Sequence, residues 1–124
     1  MSTPISGDAV FMNPGGVFSA GNPAFILTAT TSGTAHTLHT AVTGTASVDL
    51  VTLWVYNNTA VNDSITLLIG AVQIGPITVN RSSLPAMVLA RVPISNGVIL
   101  KAFALTTATV GVIISTTRLV DQAQ

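Results

Sequence analysis

The sequence contains no cysteine and no glutamate, and charged residues make up only 6% of its 124 positions. Without cysteine the fold must be stable without disulfide bonds, and thiolate metal sites are excluded. Soluble domains carry about 25% charged residues, so this chain is unusually poor in charge. Its four acidic and four basic residues balance to a formal net charge of zero. Little charge repulsion therefore keeps copies of the chain apart.

The few basic residues are scattered, which argues against two classes of partner. Nucleic-acid binding needs clustered Lys and Arg to displace counterions, and anionic membranes attract polybasic segments. A membrane-spanning helix needs about 18 consecutive apolar residues, and Thr, Ser, Gly and Pro interrupt every long uncharged stretch. The first residues also lack the basic and apolar regions of a signal peptide. We expect neither a nucleic-acid nor a membrane partner.

Residues for catalysis are also scarce. The four aspartates are far apart in the sequence, and only Asp49 falls within a predicted strand, where a lone acid usually marks an edge or a solvent-facing position. His36 and His39 are three residues apart, which places them on opposite faces of a strand, with no carboxylate nearby to complete a metal site. The sequence therefore predicts a protein that is not an enzyme and has no catalytic, cofactor-binding or metal site.

The rest of the sequence is rich in Thr, Val and Ile, and Gly and Asn turn signals recur at short, regular intervals. This pattern predicts an all-β domain over residues 24–120, with about eight short antiparallel strands in a sandwich or jelly-roll-like barrel, followed by a tail at 121–124. Asn96-Gly97 predicts a two-residue hairpin turn. The predicted strands cover residues 24–30, 35–42, 48–56, 64–69, 72–79, 86–92, 98–105 and 109–116.

Residues 1–23 differ from this pattern and are predicted to form an extended N-terminal arm. Pro and Gly interrupt the segment every few residues, so it has no room for a long helix or strand. It is nevertheless apolar, which indicates that it docks either on its own domain or on a neighbouring molecule. The candidate interaction residues are Val10, Phe11, Val17, Phe18 and Phe25.

Two predicted strands are apolar on both faces, at residues 48–56 and 109–116. A strand in an isolated sandwich normally has one polar face in water. A doubly apolar strand is either covered twice within its own domain or meets a neighbouring subunit. Because the chain has no predicted helix to provide a second cover, we favour the neighbouring subunit.

The C-terminal half contains Leu84-Pro85, the run Pro93-Ile94-Ser95-Asn96-Gly97 with the following Val98 to Ala104, and Val110 to Ile114. In these segments it resembles small virion structural proteins of tailed bacteriophages. Residues 51–56 followed by Asn57-Asn58-Thr59 are similar to a strand-and-turn unit of the same proteins. The resemblance implies a β-sandwich that decorates or cements a capsid, or that lies in the tail.

These observations together predict a non-enzymatic capsid decoration or cement protein, located in the virion and assembled in the host cytoplasm. Its expected partners are itself, with a homotrimer favoured, and the major capsid protein. Two alternatives stay open. One is a tail or neck component, which would form rings or tubes, and the other is a lectin-like binding module on the virion surface.

Overall fold

The computed structural model describes residues 8–11, 18 and 22–120, and for residues 8–11 it describes the backbone alone. Within these residues the chain is all-β, which confirms the predicted fold class, and each of the eight predicted strands corresponds to an observed one. A short 3-10 turn covers Ser32–Thr34. The strands are β1 (Asp8–Phe11), β2 (Ala24–Ile26), β3 (His36–Thr40), β4 (Ser47–Asn57), β5 (Asp63–Ile69), β6 (Val72–Val79), β7 (Ser83–Ile94), β8 (Ile99–Ala104) and β9 (Val110–Val120).

The strands form two antiparallel sheets that pack as a sandwich. The five-stranded sheet has the order β1-β9-β4-β7, with β2 also paired to β9. The four-stranded sheet has the order β3-β8-β5-β6. β4 and β9 pair along their whole length, from Ser47 opposite Val120 to Asn57 opposite Val110, and they form the centre of the larger sheet.

The hydrophobic core lies between the two sheets and follows the two-residue period of the strands. In β4 the odd-numbered residues from Asp49 to Asn57 are buried, and the even-numbered ones are partly exposed on the other side. Leu100, Ala102 and Ala104 of β8 face the core from the four-stranded sheet. This alternation defines an inner and an outer face for each sheet.

The sequence predicts six side chains to be buried in the assembled protein, namely Leu53, Trp54, Val55, Leu100, Phe103 and Val112. Leu53, Val55, Leu100 and Val112 are buried, as expected for an interior of aliphatic side chains. Trp54 and Phe103, for which burial in the assembled protein is predicted, lie half-buried on the outer faces of the two sheets. Their burial in an assembly stays a prediction.

Asn96-Gly97 forms a turn, but the predicted hairpin is wrong. Both residues have positive φ angles, 56° and 74°, and the Val98 N–H donates to the Ser95 carbonyl at 3.1 Å, which closes the turn. The flanking strands β7 and β8, however, belong to different sheets. The turn chemistry determines the local reversal, whereas the partner of each strand depends on where its apolar face is buried.

Part of the predicted arm lies on the chain's own sandwich. β1 extends the five-stranded sheet, with Val10 opposite Arg118 and Phe11 opposite Thr117 in β9. Val17 lies outside the described residues. Within the described part of the arm, the backbone therefore pairs with its own domain.

The remaining candidate interaction residues are Phe18 of the arm and Phe25 of β2. Phe18 is buried in the core cluster, and Phe25 is half-buried against the same cluster. Their rings meet edge to face, with centroids 6.1 Å apart. These contacts correspond to the alternative in which the arm docks on its own domain, and a further role in attachment to a neighbour stays a prediction.

Replacing Phe18 by alanine tests this packing. Because the side chain is buried in its own core, Phe18→Ala should lower the free energy of unfolding by about 3–5 kcal/mol. Phe103→Ala is the matched control and should cost less, since Phe103 is half-exposed on an outer face. Urea denaturation at several protein concentrations measures both. An effect of Phe18→Ala that disappears on dilution would show instead that the arm packs on a neighbouring molecule.

Candidate functional site

The outer face of the five-stranded sheet, meaning the side turned away from the four-stranded sheet, is the candidate interaction surface. Its centre is formed by alternate residues of β4 and by the residues paired with them in β9. None of these side chains is charged, and most are half-buried. They are Val48, Leu50, Thr52, Trp54 and Tyr56 in β4, and Gly111, Ile113, Ser115, Thr117 and Leu119 in β9.

Large side chains cover the middle of this face. Trp54 lies opposite Ile113 of β9 on one side and opposite Met87 of β7 on the other. The Tyr56 ring lies directly over Gly111, and a Cβ added to this glycine would overlap the ring. The absence of a side chain at position 111 therefore allows Tyr56 to lie flat on the sheet.

The side chains at the centre of this face are mostly half-buried, and its flanks are more exposed. Ile26 of β2 and Met87 of β7 extend it toward both sides, and both are exposed large apolar residues. The sequence predicts that residues 48–56 are apolar on both faces. In the structure one side of β4 lines the core and the other side is partly open. Such a face can bury apolar area against another surface without burying a charge.

The core contains a buried charge cluster beneath the same two strands. Asp49 of β4 is 0% exposed, and its carboxylate accepts hydrogen bonds from Arg118 Nε at 2.7 Å and Arg118 Nη2 at 3.1 Å. His39 Nε2 of β3 lies 2.8 Å from the same carboxylate, and the Val42 N–H donates to it at 3.1 Å. An ionised carboxylate only accepts, so the His39 proton on this bond lies on Nε2.

The prediction that Asp49 marks an edge or a solvent-facing position is wrong. It lies in the middle of the sheet and bonds to partners ten and 69 residues away in sequence. A buried carboxylate is stable only when cations and hydrogen-bond donors surround it, and here the fold supplies both. No local signal around residue 49 reveals those partners.

The ionisation of this cluster follows from its surroundings. Burial removes water from Asp49 and opposes its charge, but the hydrogen bonds from Arg118 and His39, the Arg118 charge and the Val42 N–H together outweigh burial and lower the pKa of Asp49. The hydrogen bond to Asp49 in turn raises the pKa of Arg118, against the opposing effect of burial. Asp49 and Arg118 therefore form an ion pair at neutral pH.

The two histidines have separate roles. His36 Nε2 accepts the N–H groups of Thr28 at 3.2 Å and Ala29 at 3.1 Å, and its ring packs edge to face on Phe25. A bulge between Thr37 and His39 shifts the strand phase, so that both histidines pair with inward-facing residues of β8. The predicted placement on opposite faces is therefore wrong, because a bulge adds one residue to the two-residue period.

Across residues 18 and 22–120, no three His, Asp or Glu side chains lie close enough together to hold a metal ion. Within the same described part of the chain, no helix has the length and apolarity to cross a membrane.

No protein-family model matches the sequence, and no curated protein is significantly similar to it.

The lowered pKa of Asp49 predicts how stability depends on pH. The group stabilises the fold above its unfolded pKa, near 3.9, and this contribution is lost as the pH falls through the lower folded value. Asp49→Asn should cost about 3 kcal/mol at neutral pH and should flatten the acid side of the stability curve. Urea midpoints measured from neutral pH down to strongly acidic pH test this.

Arg91→Met serves as the control, because Arg91 is exposed and forms no ion pair with another described residue. It should leave the pH profile of the wild type unchanged. An Asp49→Asn variant with the same acid dependence as the wild type would contradict the assignment to Asp49.

Proposed function

We propose that this chain is a non-enzymatic virion structural protein that packs through its outer face against copies of itself and attaches to a larger protein shell. The observation that carries the proposal is the uncharged, apolar outer face of β4 and β9. The resemblance of the C-terminal half to small structural proteins of tailed phages supports the shell as the place of assembly. A decorating or cementing role on the capsid follows from the two together.

The energetics favour burial of the outer face. Each square ångström of apolar surface removed from water contributes roughly 25 cal/mol, before the costs of association. Polar side chains in the β4 and β9 part of this face are limited to hydroxyl groups, such as Thr52, Ser115 and Thr117, so contact through these residues desolvates no charge. Arg91 of β7 borders them, and its N–H donates to Thr52 Oγ1 at 3.1 Å. A mean hydropathy of +0.68 also makes an isolated, concentrated monomer unfavourable.

The edge strand β7 is poorly suited to pairing with a strand of another molecule, which favours contact through the outer face instead. β7 forms one edge, and it contains Pro85 and Pro93, which lack the N–H that a new neighbouring strand would use. Its register with β4 shifts three times, and Arg91 has a positive φ of 49°. Bulges and prolines of this kind oppose strand addition, so the outer face is the more favourable surface for assembly.

The oligomeric state tests the self-association. We expect the wild-type chain to sediment as a trimer, and Trp54→Lys to sediment as a folded monomer because a lysine there places a charge in the interface. Val72→Lys is the matched control, since Val72 is 64% exposed in the other sheet. Analytical ultracentrifugation measures mass, and circular dichroism confirms folding. A wild-type monomer at all concentrations, or a Trp54→Lys trimer, would contradict the proposal.

The copy number in particles tests the virion role. A decoration protein should be present in many copies in purified particles of the phage that encodes it, because it repeats with the shell lattice. Quantitative staining of a denaturing gel against the major capsid protein measures the ratio. A low count with rings or tubes of the purified chain would favour the tail or neck alternative, and absence from the particles would refute a structural role.

A further inference from the structure

One end of the sandwich carries the two most exposed of the large apolar side chains in the described part of the chain, Leu84 and Leu105. The loops between β4 and β5, β6 and β7, and β8 and β9 all lie at this end, because Asn57 pairs with both Ser83 and Val110 while the four-stranded sheet ends nearby at Asp63 and Ala104. We call it the loop end. Leu84, Leu105 and Val61 lie there, with exposed fractions of 86%, 71% and 63%.

A buried asparagine holds the first two loops in place. The Asn57 side chain is 0% exposed, and its Nδ2 donates to the carbonyls of Val61 at 2.7 Å and Val79 at 3.3 Å. Its Oδ1 accepts from the Thr59 N–H at 2.9 Å and the Thr59 hydroxyl at 2.7 Å. The Ser82 N–H donates to the Thr59 carbonyl at 2.9 Å and joins the two loops.

A buried carboxylate holds the third loop. Asp63 accepts from the Ser64 N–H at 2.8 Å and the Thr106 N–H at 3.1 Å, and the Leu105 N–H donates to the Ser64 carbonyl at 3.1 Å. The loop end is therefore a pre-ordered surface, and a partner that docks there loses little entropy in ordering it.

The charge at this end indicates what kind of partner fits. Arg81 is exposed in the loop between β6 and β7, and its guanidinium makes no ion pair with any residue whose side chain the structure describes. Asp49 and Asp63 are the carboxylates among those residues, and both are buried. Among these residues Arg81 is thus an exposed cation without a carboxylate partner, and together with the exposed apolar side chains it is complementary to a surface that presents a carboxylate. Because the proposed self-contact uses the outer face, we assign the loop end to a different protein.

We propose that the loop end is the docking surface for a protein partner that presents a carboxylate among apolar side chains. Leu84, Leu105 and Val61 supply the apolar contacts, and Arg81 supplies a charge-assisted hydrogen bond to the carboxylate. The inference rests on the proposed function, because it assigns the shell contact to the loop end and leaves the outer face for self-association. The two surfaces adjoin near Tyr56, because the register of β4 and β7 places Leu84 and Pro85 between the partners of Val55 and Asn57.

A random library of displayed peptides provides a probe of known composition. Peptides selected on the wild-type chain should be enriched in Asp or Glu flanked by Leu, Phe or other apolar residues. Binding of the selected synthetic peptides is then measured by calorimetry. Leu84→Ser, Leu105→Ser and Arg81→Gln should each weaken it by about tenfold, equivalent to about 1.4 kcal/mol.

Matched controls separate this surface from the rest of the molecule. Arg91→Gln removes another exposed arginine, and Val72→Ser removes an exposed apolar side chain at the other end of the sandwich, so neither should change peptide binding. Both substitutions change exposed side chains, so folding should be retained, and circular dichroism checks it.

Several results would overturn the inference. One is a peptide enrichment on the wild type that is no greater than on a Leu84→Ser/Leu105→Ser double variant. The others are selected peptides that lack acidic residues, and peptide binding that Arg81→Gln leaves intact. Peptide binding lost in Trp54→Lys alone would assign the contact to the outer face instead. A loop-end variant that dissociates the oligomer would make this end a self-contact, which refutes the inference but retains self-association. A monomeric wild type that binds acidic peptides at the loop end would refute self-association but retain the loop end as a docking surface.

Discussion

The carboxylate of Asp49 lies between the two sheets and accepts hydrogen bonds from both of them. His39 approaches it from β3 of the four-stranded sheet, and Arg118 approaches from β9 of the five-stranded sheet. This contact settles an ambiguity in β4. The two faces of β4 are similarly apolar, so hydrophobicity alone does not determine which one is buried, and a slip of one residue would exchange them. Only one arrangement gives Asp49 its cation and its donors.

Asn57 has the same effect at the other end of β4. Its side chain turns inward and binds the carbonyls of Val61 and Val79, so both ends of the strand are fixed by polar contacts in the interior. With Asp49 and Asn57 facing the core, Trp54 and Tyr56 must face outward. The apolar outer face is therefore a consequence of where the buried polar groups find their partners.

The distribution of charge follows from the same arrangement. The formal net charge is zero, yet the described carboxylates, Asp49 and Asp63, are both inside the fold. Exposed charge on the described surface is consequently basic, as at Arg81 and Arg91, and it is sparse. The proposed self-contact through the uncharged face and the proposed acidic partner at the loop end are both compatible with this charge distribution.

The fold class and the positions of most strands could be predicted from the sequence. β-branched residues between regular turn signals have few alternatives to short strands, so the signal for each element is local. The sequence also predicted burial of Leu53, Leu100 and Val112, but it predicted the same for Trp54 and Phe103, so it did not separate the inner face of these strands from the outer one. The turn at Asn96-Gly97 was equally local, since positive φ angles depend on those two residue types.

Tertiary structure alone decided the pairing of strands and the environment of the polar residues. β7 and β8 join different sheets although a tight turn connects them, and the bulge in β3 turns both His36 and His39 toward inward-facing residues of β8. Asp49 became an interior residue because Arg118, 69 positions later in the sequence, pairs directly opposite it. The physical reason is the range of the interactions: turns and strand propensity act between neighbours in sequence, whereas a buried charge is stabilised by groups that only the folded chain brings together.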